Sequence, residues 1–500
     1  MGKKQIYNPY LPLTEYIPDG EPHLYDGRVY IYGSHDLAGG ERYCMGDYVS
    51  YSAPEDDLKD WRYDGLRYDK FSDPDNQKDG EEMDLWAPDC VKGPDGRYYL
   101  YYCYNFSNHI GVAVCDNPAG PFSYLGHVHF QDGTEEFPLM PFDPAAFVDD
   151  DDRVYLYSGF GDRPGMHLPD RASLMEQGVP ESEIEQILQM AARVSNSPGV
   201  YCYELDADMM TIKKEFGVLA PDYRHSAGSG FEGHAYFEAP SMRKVGDRYY
   251  FVYSSENSHE LCYATADHPY DRLTYGGILV SIGDIGYRGN QDPVAILGNT
   301  HGGLVEVKGQ WYVFYHRQTD GTEYSRQGCA EPVTIREDGI IDQVEITSCG
   351  LNGGPLEGKG TYPAAIACHL TSRGLPKEIN YSAMDCMNLA MVTQKERDDS
   401  SDSEVFITNI NDQTMIGYKY FEIKNLTGIR LLMRGQGSGT LRLYSSREAD
   451  HCFGQTEIAL DTQQWQEIFL QVTDYPSGRQ PLYLRYTGEG SVELLEITLL

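Results

Sequence analysis

Basic charge is scarce in this 500-residue chain: 40 lysines and arginines face 77 aspartates and glutamates, a formal net charge of −37 at pH 7. A field of that sign repels nucleic acid and anionic membrane surfaces, so neither is expected as a partner, while a neutral sugar is not penalised. No apolar run is long enough to span a bilayer. The start, Met1-Gly2-Lys3-Lys4-Gln5-Ile6-Tyr7, lacks the apolar core of a secretory signal. The eleven cysteines are odd in number and contain no Cys-x-x-Cys pair, which reads as reduced thiols and predicts a cytoplasmic protein. His225, Ser226 and the following Gly228-Ser229-Gly230 lack the Gly-x-Ser-x-Gly elbow of a serine hydrolase and read as a loop. The run Asp149-Asp150-Asp151-Asp152 lacks the alternating spacing and terminal glutamate of an EF-hand and reads as a solvated turn.

Aromatic residues, by contrast, are plentiful. They make up 12% of the chain, with 41 tyrosines, beside 52 glycines and 27 prolines. That balance predicts an all-β protein with many turns, and the length predicts two domains or more. One pattern organises the chain. Phe237-Glu238-Ala239-Pro240-Ser241 leads through Gly246-Asp247 into Arg248-Tyr249-Tyr250-Phe251-Val252-Tyr253, a β-hairpin with a carboxylate at its entry. Similar hairpins return in Arg28-Val29-Tyr30-Ile31-Tyr32, Arg97-Tyr98-Tyr99-Leu100-Tyr101, Arg153-Val154-Tyr155-Leu156-Tyr157 and Gln310-Trp311-Tyr312-Val313-Phe314-Tyr315. Five strand-built repeats at irregular intervals, mostly about 55 to 70 residues, predict a five-bladed β-propeller with insertions.

Nine or ten residues before the first residue after each turn stand Asp19, Ala87, Asp143, Glu238 and His301. Innermost strands of a propeller surround its axis, so these positions should converge. Three carboxylates in one pocket suit glycoside hydrolysis. One is protonated and donates to the leaving oxygen, a second is ionised, and a third tunes the acid by like-charge repulsion. Trp86, beside the second register position, offers either a sugar-stacking wall or a core ring between blades. Arg317 and Arg326 could each present a forked pair of hydrogen bonds to a diol or a carboxylate.

The stretches Ile17–Pro22, Leu85–Asp89, Phe142–Phe147 and Phe237–Ser241, with His301-Gly302-Gly303 and Tyr315–Gln318, together resemble glycoside hydrolase family 43 over about residues 5 to 350. The resemblance implies an inverting, exo-acting arabinofuranosidase or β-xylosidase acting on hemicellulose-derived oligosaccharides. The competing expectations are an endo-arabinanase and a glycan-binding propeller without catalysis. By the same resemblance Asp19 is the general base, Glu238 the general acid, Asp143 the carboxylate that tunes and orients the acid, and Arg326 a substrate-pocket arginine. His301 is the axial histidine beside a structural calcium or other cation, reached through water because calcium prefers oxygen. The chemistry itself needs no cofactor.

Two further segments complete the reading. Pro180 to Arg193 has apolar residues at 184, 187, 188 and 191, which predicts a helix inserted within a blade, on the outer rim in preference to a lid. The propeller is placed at residues 1–365. Residues 366–500, with short alternating strands, are placed in a β-sandwich (jelly-roll) domain that resembles a family-6 carbohydrate-binding module. No flexible linker separates the two domains, so docking is expected.

Overall fold

A computed structural model describes residues 5–77, 82–105, 107–166, 168–176, 178–379, 388–396 and 403–500; Met1 to Lys4 lie outside the described residues. Five antiparallel sheets follow one another along the first two thirds of the chain. The first holds β1 (Glu21–Tyr25), β2 (Arg28–Tyr32), β3 (Tyr48–Pro54) and β4 (Arg62–Tyr68). The second holds β5 (Asp89–Lys92), β6 (Tyr98–Tyr102), β7 (Gly111–Cys115) and β8 (Ser123–His127). The third holds β9 (Ala145–Val148), β10 (Val154–Ser158), β11 (Gly199–Leu205) and β12 (Ile212–Pro221), with helices α1 (Arg171–Glu176) and α2 (Glu181–Asn196) inserted after β10. The fourth is β13 (Tyr236–Val245), β14 (Arg248–Ser255), β15 (Glu260–Ala266) and β16 (Thr274–Ser281), and the fifth is β17 (Leu304–Val307), β18 (Gln310–Gln318) and β19 (Arg326–Val333). The inner strands β1, β5, β9 and β13 are successive neighbours, and β17 returns to β1. A parallel bridge between Gly20 and Gly302 joins first blade to last.

The tyrosine-rich strands explain why the blades pack face to face. In β6, Tyr98, Leu100 and Tyr102 enter the seam with the first blade, while Tyr99 and Tyr101 enter the seam with the third. A strand buried on both faces loses the apolar–polar alternation of a half-exposed one and reads as a continuous aromatic run. The other three seams are filled in the same way, between blades three and four, four and five, and five and one. The hairpins between β1 and β2 and between β17 and β18 turn on Asp26-Gly27 (φ 50° and 76°) and Lys308-Gly309 (φ 51° and 82°). Two consecutive positive φ values mark the tight turns that match strand twist, and they account for the glycines there.

The remaining strands are β20 (Leu356–Glu357), β21 (Gly360–Pro363), β22 (His369–Thr371), β23 (Met391–Gln394), β24 (Val405–Ile410), β25 (Met415–Ile423), β26 (Gly428–Tyr444), β27 (Gly454–Gln471) and β28 (Gly478–Leu499). They form a β-sandwich-like unit around its own core, which includes Tyr418, Phe421, Leu431, Leu443, Leu484 and Ile497. The expected boundary at 365/366 is too late. Leu356–Glu357 already pairs with β25, and Gly360–Pro363 pairs with β28, so the second domain begins near residue 355. Those two strands are short and glycine-flanked, and their pairing partners lie at the far end of the chain.

The domains are docked. Arg317 donates to the carbonyls of Ala365 (2.7 Å) and Ala367 (3.0 Å), so its guanidinium serves the interface and not the sugar pocket considered for it. Lys419, 2% exposed, places its ammonium 3.0 Å from Asp284 Oδ2 and 3.0 Å from Glu345 Oε1, both from the propeller side of the boundary. Lys419→Met would leave a buried carboxylate without its cation, a change that costs about 3 kcal/mol or more. Denaturant unfolding of this variant should therefore show a lower midpoint, with secondary structure at low denaturant unchanged. An unchanged midpoint would show that the buried triad contributes nothing to docking.

Candidate active site

All five residues at the common register, Asp19, Ala87, Asp143, Glu238 and His301, line one pocket of about 260 Å³, and Trp86 and Arg326 line it with them. The carboxylates stand at the entries of inner strands. Asp19 and Asp143 each precede one, and Glu238 lies in β13 where the pairing with β14 slips between Glu238 and Ser241. The backbone there is unusual. Asp19 (φ 57°), Asp143 (φ 47°) and Ala239 (φ 64°) occupy the left-handed region, which non-glycine residues seldom adopt and which clusters at functional sites.

Asp19, 4% exposed, accepts hydrogen bonds from Ser34 Oγ (2.5 Å) and Arg326 Nη1 (3.0 Å). Burial pushes its carboxyl up, but the positive field, led by Arg326, outweighs it and holds the group below the usual carboxylate range. Arg326 is itself locked by Asp36. Its Nε and Nη2 meet the two oxygens of that carboxylate at 2.8 and 3.0 Å, so the forked pair goes to Asp36 and one further N–H to Asp19. His316 fixes Asp19 from behind. Its Nε2–H donates to the Asn299 carbonyl (2.9 Å), which leaves Nδ1 to accept the Asp19 backbone N–H (3.2 Å).

Glu238 is the opposite case. Burial, then the charge of Asp19, pushes its carboxyl up to about 8 against the opposing pull of Arg163 and Arg326. Asp143 is likewise raised, first by burial and then by Glu238, while the Ala239 N–H (3.1 Å) stabilises its charge. Three carboxyls in one desolvated pocket cannot all ionise, and Arg326 assigns the ionised state to Asp19. His301 Nδ1 lies 3.5 Å from Asp143 Oδ2, and burial lowers the imidazole to about 4, so the ring is neutral at pH 7.

Trp86 meets Phe142 edge-on, with ring centroids 5.0 Å apart, and reaches the pocket as one side of an aromatic wall. The insertion that carries the helices is not confined to the outer rim, since its two ends reach the pocket wall. Val194 of α2 packs with Phe142, and Trp86, Phe160 and Met166 lie against the same cluster. Phe160, Arg163 and Met166 themselves line the pocket. Of α2, the C-terminal end at Val194 meets the pocket wall, while Ile184 and Ala191 on its apolar face are buried outside that cluster. Reading the repeats did not find Asp36, Asn299, Arg163 or Glu323. Only Asp36 had a usable signal, as a carboxylate closely following a blade hairpin.

A family model described as "Glycosyl hydrolases family 43" matches residues 22–174 and 186–341; Asp19 lies just ahead of the first segment. The chain is 41% identical over 504 residues to a xylosidase/arabinosidase of Thermoclostridium stercorarium, covering 99% of each chain. It is 31% identical over 323 residues to a β-xylosidase of Xylanibacter ruminicola, covering 61% of this chain and 88% of that one. A crystal structure of a family 43 arabinoxylan arabinofuranohydrolase from Bacillus subtilis aligns at 19% identity and TM-score 0.49, over 98% of this chain and 97% of the other.

Proposed function

The chain belongs to glycosyl hydrolases family 43, and from that premise we propose that it is an inverting, exo-acting glycosidase releasing arabinofuranosyl and xylosyl residues from hemicellulose-derived oligosaccharides. The observation that carries this reading is the split between two carboxyls of one pocket: Asp19 held ionised by Arg326, Glu238 kept protonated near neutral pH. Glu238 gives its proton to the leaving glycosidic oxygen while Asp19 deprotonates the water that attacks the anomeric carbon. The glycosidic C–O bond breaks as the new C–O bond forms, so the proton leaving Glu238 is balanced by the one Asp19 gains. Asp143 holds the backbone beside Glu238 by accepting the Ala239 N–H (3.1 Å), and the charge of Asp19, after burial, is what disfavours ionisation of Glu238. Trp86 offers its ring to the C–H face of the pentose. Arg326 acts on substrate through Asp19, since its fork is held by Asp36.

The pentose preference rests on the whole-length relative named a xylosidase/arabinosidase. Hydrolysis of nitrophenyl arabinofuranoside and xyloside, but not of linear arabinan, tests it. Cleavage of arabinan in mid-chain would indicate an endo-arabinanase, and sugar binding without turnover a lectin-like propeller. Proton NMR of a β-xyloside digest should show α-xylose as the first-formed anomer, before mutarotation. First-formed β-xylose would require a retaining mechanism and remove Asp19 from the role of base.

No cofactor enters these steps. A calcium ion near His301 would draw few of its oxygen ligands from the residues present. Glu21 Oε1 is a buried carboxylate oxygen with no hydrogen-bond partner, and Glu21, His23 and Asp89 cluster at the inner ends of β1 and β5. Glu21 Oε2 already accepts from Arg243 (2.7 Å) and Asp89 Oδ1 already meets His23 Nε2 (2.6 Å), so water would have to supply most of the six or more oxygens that calcium calls for. The ten described cysteines are free thiols, which supports a reducing, cytoplasmic setting. Sugar binding by the second domain has less behind it. Its tryptophan, Trp465, lies under the Arg434 guanidinium (4.1 Å) and is met by Phe406, so the ring is part of local packing.

A further inference from the structure

A second constellation lies on the outer side of the second blade, among residues that do not line the catalytic pocket. His127 closes β8, and His109 stands just ahead of β7, whose first residue Gly111 is paired with His127. Asp75 belongs to the 3-10 turn Pro74–Gln77, and Glu135 to the loop leading towards the third blade. The two imidazoles stack with centroids 5.0 Å apart and 23° between planes. Both Nδ1 atoms face Asp75, and that of His127 also meets Glu135. His109 Nδ1 is 3.4 Å from Asp75 Oδ2, and His127 Nδ1 is 3.9 Å from Asp75 Oδ2 and 3.0 Å from Glu135 Oε2. The far nitrogen of His127, Nε2, is 3.1 Å from Asp73 Oδ2, which also accepts the Tyr102 hydroxyl at 2.8 Å.

We propose that His109, His127, Asp75 and Glu135 form a structural binding site for a zinc-class divalent ion. Two imidazole nitrogens and two carboxylate oxygens are a donor set suited to zinc, whereas calcium calls for six or more oxygens. Tetrahedral bonds of about 2.0 to 2.1 Å put ligand atoms about 3.3 Å apart. His109 and His127 stand 3.4 and 3.9 Å from Asp75, and the three ligand atoms lie within 4.8 Å of one another. Glu135, 3.0 Å from His127, swings in from its exposed loop to complete the set. Asp73 supplies the outer partner that a metal-bound histidine requires: by accepting Nε2–H it directs the Nδ1 lone pair of His127 into the cluster. The ion displaces the proton that an imidazole between Asp73 and Glu135 otherwise carries on Nδ1.

The site ties four separate chain segments together, and one of them serves the catalytic pocket. Asn76, next to Asp75, donates from Nδ2 to the Met83 carbonyl (3.1 Å) and accepts the Met83 N–H at Oδ1 (2.7 Å). Met83 lies three residues before Trp86. The ion thus braces the segment that carries an aromatic wall of the pocket, without touching the reacting groups.

Full-length protein dialysed against chelator and titrated with zinc chloride should bind one equivalent by calorimetry and melt at a higher temperature. Cobalt chloride in place of zinc should give the intense visible absorption of four-coordinate Co²⁺. His109→Ala should remove the equivalent and the thermal shift, and Asp73→Asn should weaken binding by about 10- to 100-fold through the outer shell. His301→Ala, in the catalytic pocket, should keep the zinc equivalent. Glu135→Gln, in an exposed loop, gives a second arm should His109→Ala fold poorly, and it should lose affinity with the zinc-free melting temperature intact. No zinc-dependent shift or heat in the unmodified protein would overturn the proposal, as would His109→Ala and Glu135→Gln binding zinc as the unmodified protein does.

Discussion

Glu238→Gln should reduce cleavage of an unactivated xylobioside or arabino-oligosaccharide by about 10³-fold, within the range that a positioned general acid contributes. A nitrophenyl glycoside should lose far less, because its leaving group departs as an anion without needing the proton. The pH profile separates this role from a merely structural one. In the unmodified enzyme kcat/KM should fall on the alkaline side as Glu238 deprotonates near its value of about 8, since the acid works only when protonated. Glutamine has no such ionisation, so the alkaline limb should flatten in the variant. Equal losses on both substrates, with the limb preserved, would take the acid role away from Glu238.

Asp19→Asn should be the more severe change on activated substrates. Water activation is needed whichever group leaves, so both substrate classes should lose about 10³- to 10⁴-fold together. Asparagine keeps the acceptor for Arg326 Nη1 and tolerates a φ of 57°, so the fold should survive. Asp19 works when ionised, so its group limits activity on the acid side, and Arg326 keeps that limb at low pH. External azide offers a further check: a nucleophile that needs no deprotonation should restore turnover in Asp19→Asn and not in a misfolded variant. A loss confined to poorly activated substrates would instead make Asp19 an auxiliary of the acid.

The propeller was legible because each blade repeats one physical requirement. A strand that enters two seams must be apolar or aromatic on both faces, and Tyr98 to Tyr102 shows this openly. Counting back from the hairpin turns then found the inner ends of the strands. What the repeats could not show came from outside them. Asp36 locks Arg326 across 290 positions, a pairing made by ring closure between first and last blades. Arg317 and Arg326 looked equivalent in sequence, yet neighbouring strands send one to the second domain and the other to the pocket. The insertion between β10 and β11 has clear helical spacing, but spacing does not tell which neighbour a helix will meet; here Val194, at the C-terminal end of α2, meets the pocket wall. The domain boundary was missed because β20 and β21 acquire strand character only by pairing with β25 and β28.

The left-handed backbone at Asp19, Asp143 and Ala239 bears on how such a protein can evolve. Left-handed conformations are least costly for glycine and asparagine, and the mutual repulsion of buried carboxylates also disappears when either replaces an aspartate. The substitutions that would end hydrolysis are therefore among those that the folded chain would accept most readily. Selection for turnover must hold these aspartates against a steady drift towards a sturdier, inactive ring, in keeping with the trade-off between stability and activity. Once that selection lapsed, decay would remove the chemistry and leave the scaffold standing. A lineage of this fold could pass from cutting pentosides to merely holding them without crossing an unfolded intermediate.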